Sequence, residues 1–168
     1  YLISYFENVS EDVVIVFFGD HQPKLSEAFY SEISDVDMNS LQAKQTRFQV
    51  PFFIWANYDI EEKIIPRLSV NYLSSLVLQT AGLELTEYNK YLLKLAKTLP
   101  VINTVGYIDN QGIYYNWDQE SPYTEILEGY KKIQYNNIFD TVNKDNDTFY
   151  LEGYIPPTSS SEEKFAEG

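Results

Sequence analysis

Cysteine is absent from this chain of 168 residues, and histidine occurs only once. The lack of cysteine excludes disulfide bonds and thiol chemistry, although it is compatible with either side of a membrane. With a single histidine, the chain cannot by itself build a metal site that depends on several imidazoles. The sequence also has no internal repeat, no glycine-rich phosphate loop and no Gly-x-Ser-x-Gly nucleophile elbow.

The chain contains few positively charged residues. Lys and Arg together number 12 against 25 Asp and Glu, which gives a formal net charge of -13 and a pI near 4.3. A surface of this sign argues against nucleic acid or anionic lipid as a partner of the bulk surface. A phosphate-bearing substrate is still compatible with the composition, because a bound metal ion can reverse the local field.

No apolar run approaches the roughly 20 residues that a membrane-spanning helix needs. The apolar fraction of 44% and the aromatic fraction of 16% instead predict one folded domain with a sizeable core. Residues 1–9 begin without Met and have the apolar spacing of a helix end, so we expect the chain to be a fragment cut at its N-terminal side. Residues 156–168 have the composition of a flexible tail.

The central stretch of the sequence is the apolar run 13–18, which ends at Gly19, Asp20 and His21. A run without polar alternation is typical of a strand buried on both faces, as in the middle of a parallel sheet. Gly19 permits a sharp turn there, which would place Asp20 and His21 past the carboxyl end of the strand. Carboxylate and imidazole are ordinary ligands of divalent metals. Gln22 follows and is either a site-adjacent side chain or a simple turn residue.

The pair also has a purely structural interpretation. Asp20 could cap a turn by accepting backbone N–H groups, and His21 could be an ordinary surface or core residue. A catalytic zinc site usually needs three protein ligands, so further ligands would have to come from other carboxylates or from polypeptide outside this chain.

Later segments complete a prediction of the fold. Residues 51–56 form a second apolar run, and residues 68–81 and 86–98 have helical spacing, with Ser69 or Asn71 as N-cap of the first helix. This order predicts an α/β fold with a mostly parallel sheet and flanking helices over residues 1–105. Residues 105–108 and 113–116 predict a β-hairpin, and 122–139 a helix, so that residues 106–155 form a hairpin-plus-helix extension.

Three segments in this order resemble a known family: residues 14–23 (VIVFFGDHQP), residues 51–57 (PFFIWAN), and residues 68–83, which begin LSVNYL. They are similar to the C-terminal part of the sulfatase-type catalytic domain of the lipoteichoic acid synthase (phosphoglycerol transferase) family, within the alkaline phosphatase-like superfamily. The resemblance covers roughly residues 10 to 108, and the hairpin and helix beyond resemble extensions in Gram-positive members.

The resemblance implies a metal-dependent enzyme acting on phosphate or sulfate esters at the cell envelope. Asp20 and His21 match the family's Gly-Asp-His metal-binding pair, with Gly19 shaping the turn. The resemblance implies manganese first, with zinc, magnesium or calcium as alternatives. It also implies a threonine nucleophile and further ligands in an upstream half that is absent here, so the chain alone should be inactive.

The same resemblance implies partners and a location. The expected partners are the missing N-terminal half and a phosphatidylglycerol-type headgroup or a polymer acceptor. The acidic composition described above argues for no nucleic acid among them. The expected location is the extracellular face of the membrane, through upstream transmembrane helices. The competing hypothesis is a non-catalytic binding or scaffolding domain of the same fold.

Overall fold

A computed structural model describes residues 1–33, 36–140 and 142–154. The predicted tail at 156–168 lies outside these ranges. In chain order the described elements are α1 (Leu2–Phe6), β1 (Val14–Phe18), α2 (Glu27–Ile33), α3 (Leu41–Thr46), β2 (Phe52–Ala56), α4 (Val70–Thr80), α5 (Glu87–Thr98), β3 (Val101–Ile102), β4 (Tyr107–Ile108), β5 (Tyr114–Tyr115), α6 (Thr124–Phe139) and α7 (Asn146–Phe149). Within them, no helix combines the length and apolarity that crossing a bilayer requires.

The two apolar runs form one antiparallel ribbon. Strand β1 pairs with β2 in a register that joins Val14 to Ala56 and Phe18 to Phe52. The predicted parallel arrangement is therefore wrong for these strands, while the mixed α/β composition is confirmed. An apolar run does not encode the direction of its neighbouring strand, and the long segment between the two strands lets the chain return either way. Nor is β1 buried on both faces, because Phe17 and Phe18 are 56% and 50% exposed.

The predicted hairpin is confirmed and extended by one strand. Strands β4 and β5 pair antiparallel, and β3 adds to the other edge of β4 in the order β3-β4-β5. Gly112 closes the turn with φ +84°, a conformation that L side chains rarely adopt. The hairpin therefore needs glycine at this position.

The carboxylate of Asp109 holds this turn from inside and is only 2% exposed. It accepts the backbone N–H groups of Gln111 and Ile113, each at 2.9 Å, and the hydroxyls of Tyr115 at 3.2 Å and Tyr123 at 3.1 Å. Burial acts to raise the pKa of Asp109, but the hydrogen bonds, led by that from Ile113, lower it below its usual value. Asp109 is thus a charged anchor of the hairpin.

The core lies where the helices meet the hairpin. Helices α4, α5 and α6 match the predicted segments with ends that differ by at most two residues. Helix α5 begins with a capping box between Thr86 and Asn89. The buried cluster consists of Tyr72, Leu92, Leu95, Leu99, Tyr107, Leu127 and Tyr130. The cluster contains residues from before and after residue 105, so the main unit and the hairpin-plus-helix extension share one core. The division of the chain into domains stays a prediction.

Candidate functional site

Asp20 and His21 lie directly beyond the carboxyl end of β1. The ladder continues one bond past the strand, because the Gly19 N–H donates to the Pro51 carbonyl at 3.1 Å, and the chain then bends at Asp20. The side chains of Asp20 and His21 are 85% and 78% exposed. The structure therefore places the pair at a strand end with open access to any ligand or polypeptide.

The geometry of the pair suits two ligands of one ion. The Nδ1 of His21 lies 2.9 Å from the Gln22 carbonyl oxygen. Because a carbonyl only accepts, Nδ1 carries the proton in the neutral ring, and the Nε2 lone pair is left for a metal. Nε2 lies 3.5 Å from Oδ2 of Asp20. Two ligand atoms at ordinary zinc distances and a tetrahedral angle are separated by about 3.4 Å.

The other carboxylate oxygen of Asp20, Oδ1, accepts the His21 backbone N–H at 2.8 Å and so helps to fix the loop. Within the described ranges, no group of three or more His, Cys, Asp or Glu side chains could hold a metal ion. The pair thus offers two ligand atoms that fit a divalent cation, and its assignment as a metal site stays a prediction.

Gly19 is needed for a different reason from the one expected. Its backbone does not occupy the left-handed region that favours glycine. A Cβ at this position would instead lie 2.8 Å from Cβ of Val50, which is too short for two carbon atoms, and 3.1 Å from its Cγ1, which is tight. Close approach of the two chain segments, and not turn conformation, demands glycine here.

Gln22 ties the segment after β1 to the segment before β2. Its Nε2 donates to the carbonyl oxygens of Gln49 at 2.6 Å and Thr46 at 3.0 Å. The amide donor is therefore occupied by the backbone, as suits a residue that fixes the loop carrying Asp20 and His21.

A cleft of about 740 Å³ opens beside this loop. Its walls are the end of β1 with Gly19 and Asp20, the residues before β2, the start of α4, and β3. The volume falls in the range of small-molecule sites. Among the described lining residues, Asp20 and Arg67 carry the charge, so an anionic and a cationic group face one cleft.

Sequence analysis did not single out Arg67 or Gln45 as site residues. Arg67 belongs to a segment with no helix or strand, and Gln45 lies in the short helix α3. Gln45 is nevertheless only 2% exposed, and its Oε1 accepts the Nδ2 of Asn103 at 2.7 Å. No local pattern could have shown this, since the contact joins residues 58 positions apart.

A family model for sulfatases matches residues 1–83. The match spans α1 through α4 and so contains Asp20, His21 and most of the cleft. This part of the chain is therefore similar to sulfatases of the alkaline phosphatase-like superfamily. No curated protein and no solved structure matches the chain.

Proposed function

We propose that the chain is the C-terminal part of a metal-dependent phosphoglycerol transferase, or of a related sulfatase-like hydrolase, acting on phosphate or sulfate esters. One observation carries the proposal: the sulfatase match includes a strand end where Asp20 and His21 present an oxygen and a nitrogen 3.5 Å apart. Asp20 and His21 are the metal ligands in this proposal. Gly19 and Gln22 hold their loop in place.

A divalent cation, manganese in the first instance, would neutralise charge on the phosphoryl oxygens and activate a hydroxyl nucleophile. The protein's own residues prepare its binding. The Gln22 carbonyl holds the tautomer of His21, and the backbone N–H of His21 orients the Asp20 carboxylate. The nucleophilic threonine and the remaining ligands belong to an upstream half, so the chain alone is inactive in this proposal.

The β1–β2 ribbon supports the existence of such a half. Two-stranded sheets are marginal by themselves, and the cross-strand pair Phe17 and Phe53 stacks at 5.3 Å with both rings about half exposed. The upstream half would bury this aromatic face. We further propose that the complete protein works at the extracellular membrane face, on a phosphatidylglycerol-type headgroup or a polymer acceptor.

The test uses the complete protein with its upstream region. Turnover of a phosphatidylglycerol analogue and of an aryl phosphodiester is measured with and without Mn²⁺. We expect Asp20→Asn and His21→Gln to lower kcat/KM at least about 100-fold, because each removes a ligand atom. The affinity for Mn²⁺, measured by titration calorimetry, should fall in parallel.

Asp12→Asn is the matched control, since Asp12 is an exposed carboxylate at the other end of β1. It should leave both readouts unchanged. Full turnover in both Asp20→Asn and His21→Gln would refute the metal assignment. Absence of metal-dependent turnover in the unmodified protein would favour the alternative of a non-catalytic binding or scaffolding domain.

A further inference from the structure

Helix α4 begins at the cleft without a side-chain cap. Ser69 occupies the N-cap position, but its hydroxyl donates to the Ile102 carbonyl at 3.0 Å and accepts the Ile102 N–H at 2.8 Å. The first N–H groups of a helix have no intrahelical acceptor. Those of Val70 and Asn71 have no acceptor among the described residues either. The positive end of an 11-residue helix therefore faces the cleft uncapped.

A second, independent feature lies in the same cleft. The Oδ1 of Asn103 accepts the backbone N–H groups of Val105 at 2.9 Å and Gly106 at 3.3 Å, which fixes the orientation of this amide. Its Nδ2 must then donate to Oε1 of Gln45. Gln45 is only 2% exposed, and as a result of this arrangement its Nε2 has no hydrogen-bond partner among the described residues. A buried donor without an acceptor is costly, and a ligand oxygen would satisfy it.

Arg67 adds a full positive charge to this set. It lies three residues before the start of α4 and lines the cleft. Its Nη1 has no hydrogen-bond partner, and Arg67 takes part in no ion pair within the described ranges. The Nη1 atom is buried beside the hairpin turn, 3.8 Å from where a Cβ on Gly112 would lie, so Arg67 contributes positive charge at the edge of the cleft. In a chain with a net charge of -13, a cation without a carboxylate partner favours an anionic ligand there.

From these features we infer that the cleft binds a tetrahedral oxyanion, a phosphate or sulfate group, at the uncapped start of α4. The N–H groups of Val70 and Asn71 and the amide of Gln45 are its donors, and Arg67 adds positive charge beside them. A helix N-terminus with an added cation is a general anion site. The identity of the anion rests on the proposed function: it is a charged group of the substrate or acceptor, held beside Asp20 and His21. Binding itself needs no metal.

Val70 offers a variant that tests the site without disturbing the fold. Its side chain is 72% exposed at the first helical position. Val70→Glu places a carboxylate at the start of α4, where its charge would repel a bound anion, and an acidic residue in the first turn favours helix formation. Val70→Gln has the same size without the charge. Thermal unfolding of both variants verifies that they fold.

Binding is measured on the full chain, free of metal, by amide NMR titration with inorganic phosphate and with glycerophosphoglycerol, against chloride at equal ionic strength. We expect saturable shifts of the Val70 and Asn71 amides. Val70→Glu should raise Kd at least about tenfold, and Val70→Gln should stay within about twofold. Tighter binding of the diester identifies a substrate-derived group, and tighter binding of inorganic phosphate identifies free phosphate.

Arg67→Gln should also raise Kd at least about tenfold, because it removes the positive charge that lines the cleft. Lys90→Gln is its control, since Lys90 is an exposed cation on α5 paired with Glu87. Equal affinity of Val70→Glu and Val70→Gln, or equal shifts with chloride, would overturn the inference. Asp20→Asn separates it from the proposed function when turnover is measured on the complete protein and phosphate binding on this chain. Lost turnover with intact phosphate binding supports both, and retained turnover refutes the metal role alone.

Discussion

Substituting Gly19 by alanine tests whether close packing against Val50 requires glycine at the start of the loop that carries Asp20 and His21. The added Cβ would lie 2.8 Å from Cβ of Val50, whereas ordinary carbon contacts begin at 3.4 Å. The two segments must therefore separate by about 0.6 Å, the difference between these distances. Overpacking of this kind costs about 1–3 kcal/mol. Because the backbone of Gly19 is not left-handed, no conformational penalty adds to this.

The assay is urea unfolding of a double-mutant cycle with Val50→Gly. We expect Gly19→Ala to lower the free energy of unfolding by about 1–3 kcal/mol in the native background and by less than about 0.5 kcal/mol beside Val50→Gly. Gly129→Ala is the control, since nothing lies within 4 Å of a Cβ on this helical glycine. It should be neutral or stabilising by up to about 1 kcal/mol. An equal cost of Gly19→Ala in both backgrounds would refute the steric argument.

Two further predictions concern the hairpin and the core. Hydrogen bonds from Ile113 and Tyr123 outweigh the effect of burial and lower the pKa of Asp109 in the folded chain. The charge of Asp109 therefore stabilises the fold fully above the unfolded pKa of about 3.9. This stabilisation is lost as pH falls through the lower, folded pKa. Urea unfolding should therefore show Asp109→Asn to be less stable than the native chain at pH 7 and closer to it at pH 3; an equal difference at both pH values would contradict this. Tyr72→Phe should cost about 1–3 kcal/mol in the same assay, because the fully buried hydroxyl of Tyr72 donates to the Leu99 carbonyl at 3.0 Å. No loss of stability would mean that this bond contributes nothing.

The helices and the hairpin were predictable because their signals are local. The apolar spacing of α4 and α5 and the turn chemistry around Gly112 each lie within a few residues of the elements they define. The position of Asp20 and His21 at a strand end followed from the same kind of signal, an apolar run that stops at glycine.

Strand direction and the contents of the cleft were not predictable in this way. The apolar run before Gly19 is equally suited to parallel and antiparallel neighbours, and its pairing depends on how the chain returns from that glycine to residue 52. The hydroxyl of Ser69 had the sequence signature of a cap, yet it bonds to a strand 33 residues away. Tertiary contacts outcompeted the local preference and left the helix start uncapped.

The sequence by itself determined the absence of thiol chemistry, the acidic surface, the main helices, the hairpin, and the adjacent carboxylate and imidazole after β1, because each depends on composition or on residues close in the chain. Only the tertiary structure decided the antiparallel ribbon, the close packing of Gly19 on Val50, and the meeting of Arg67, Gln45 and the start of α4 around one cleft. These features depend on contacts between distant segments, whose geometry no local pattern encodes.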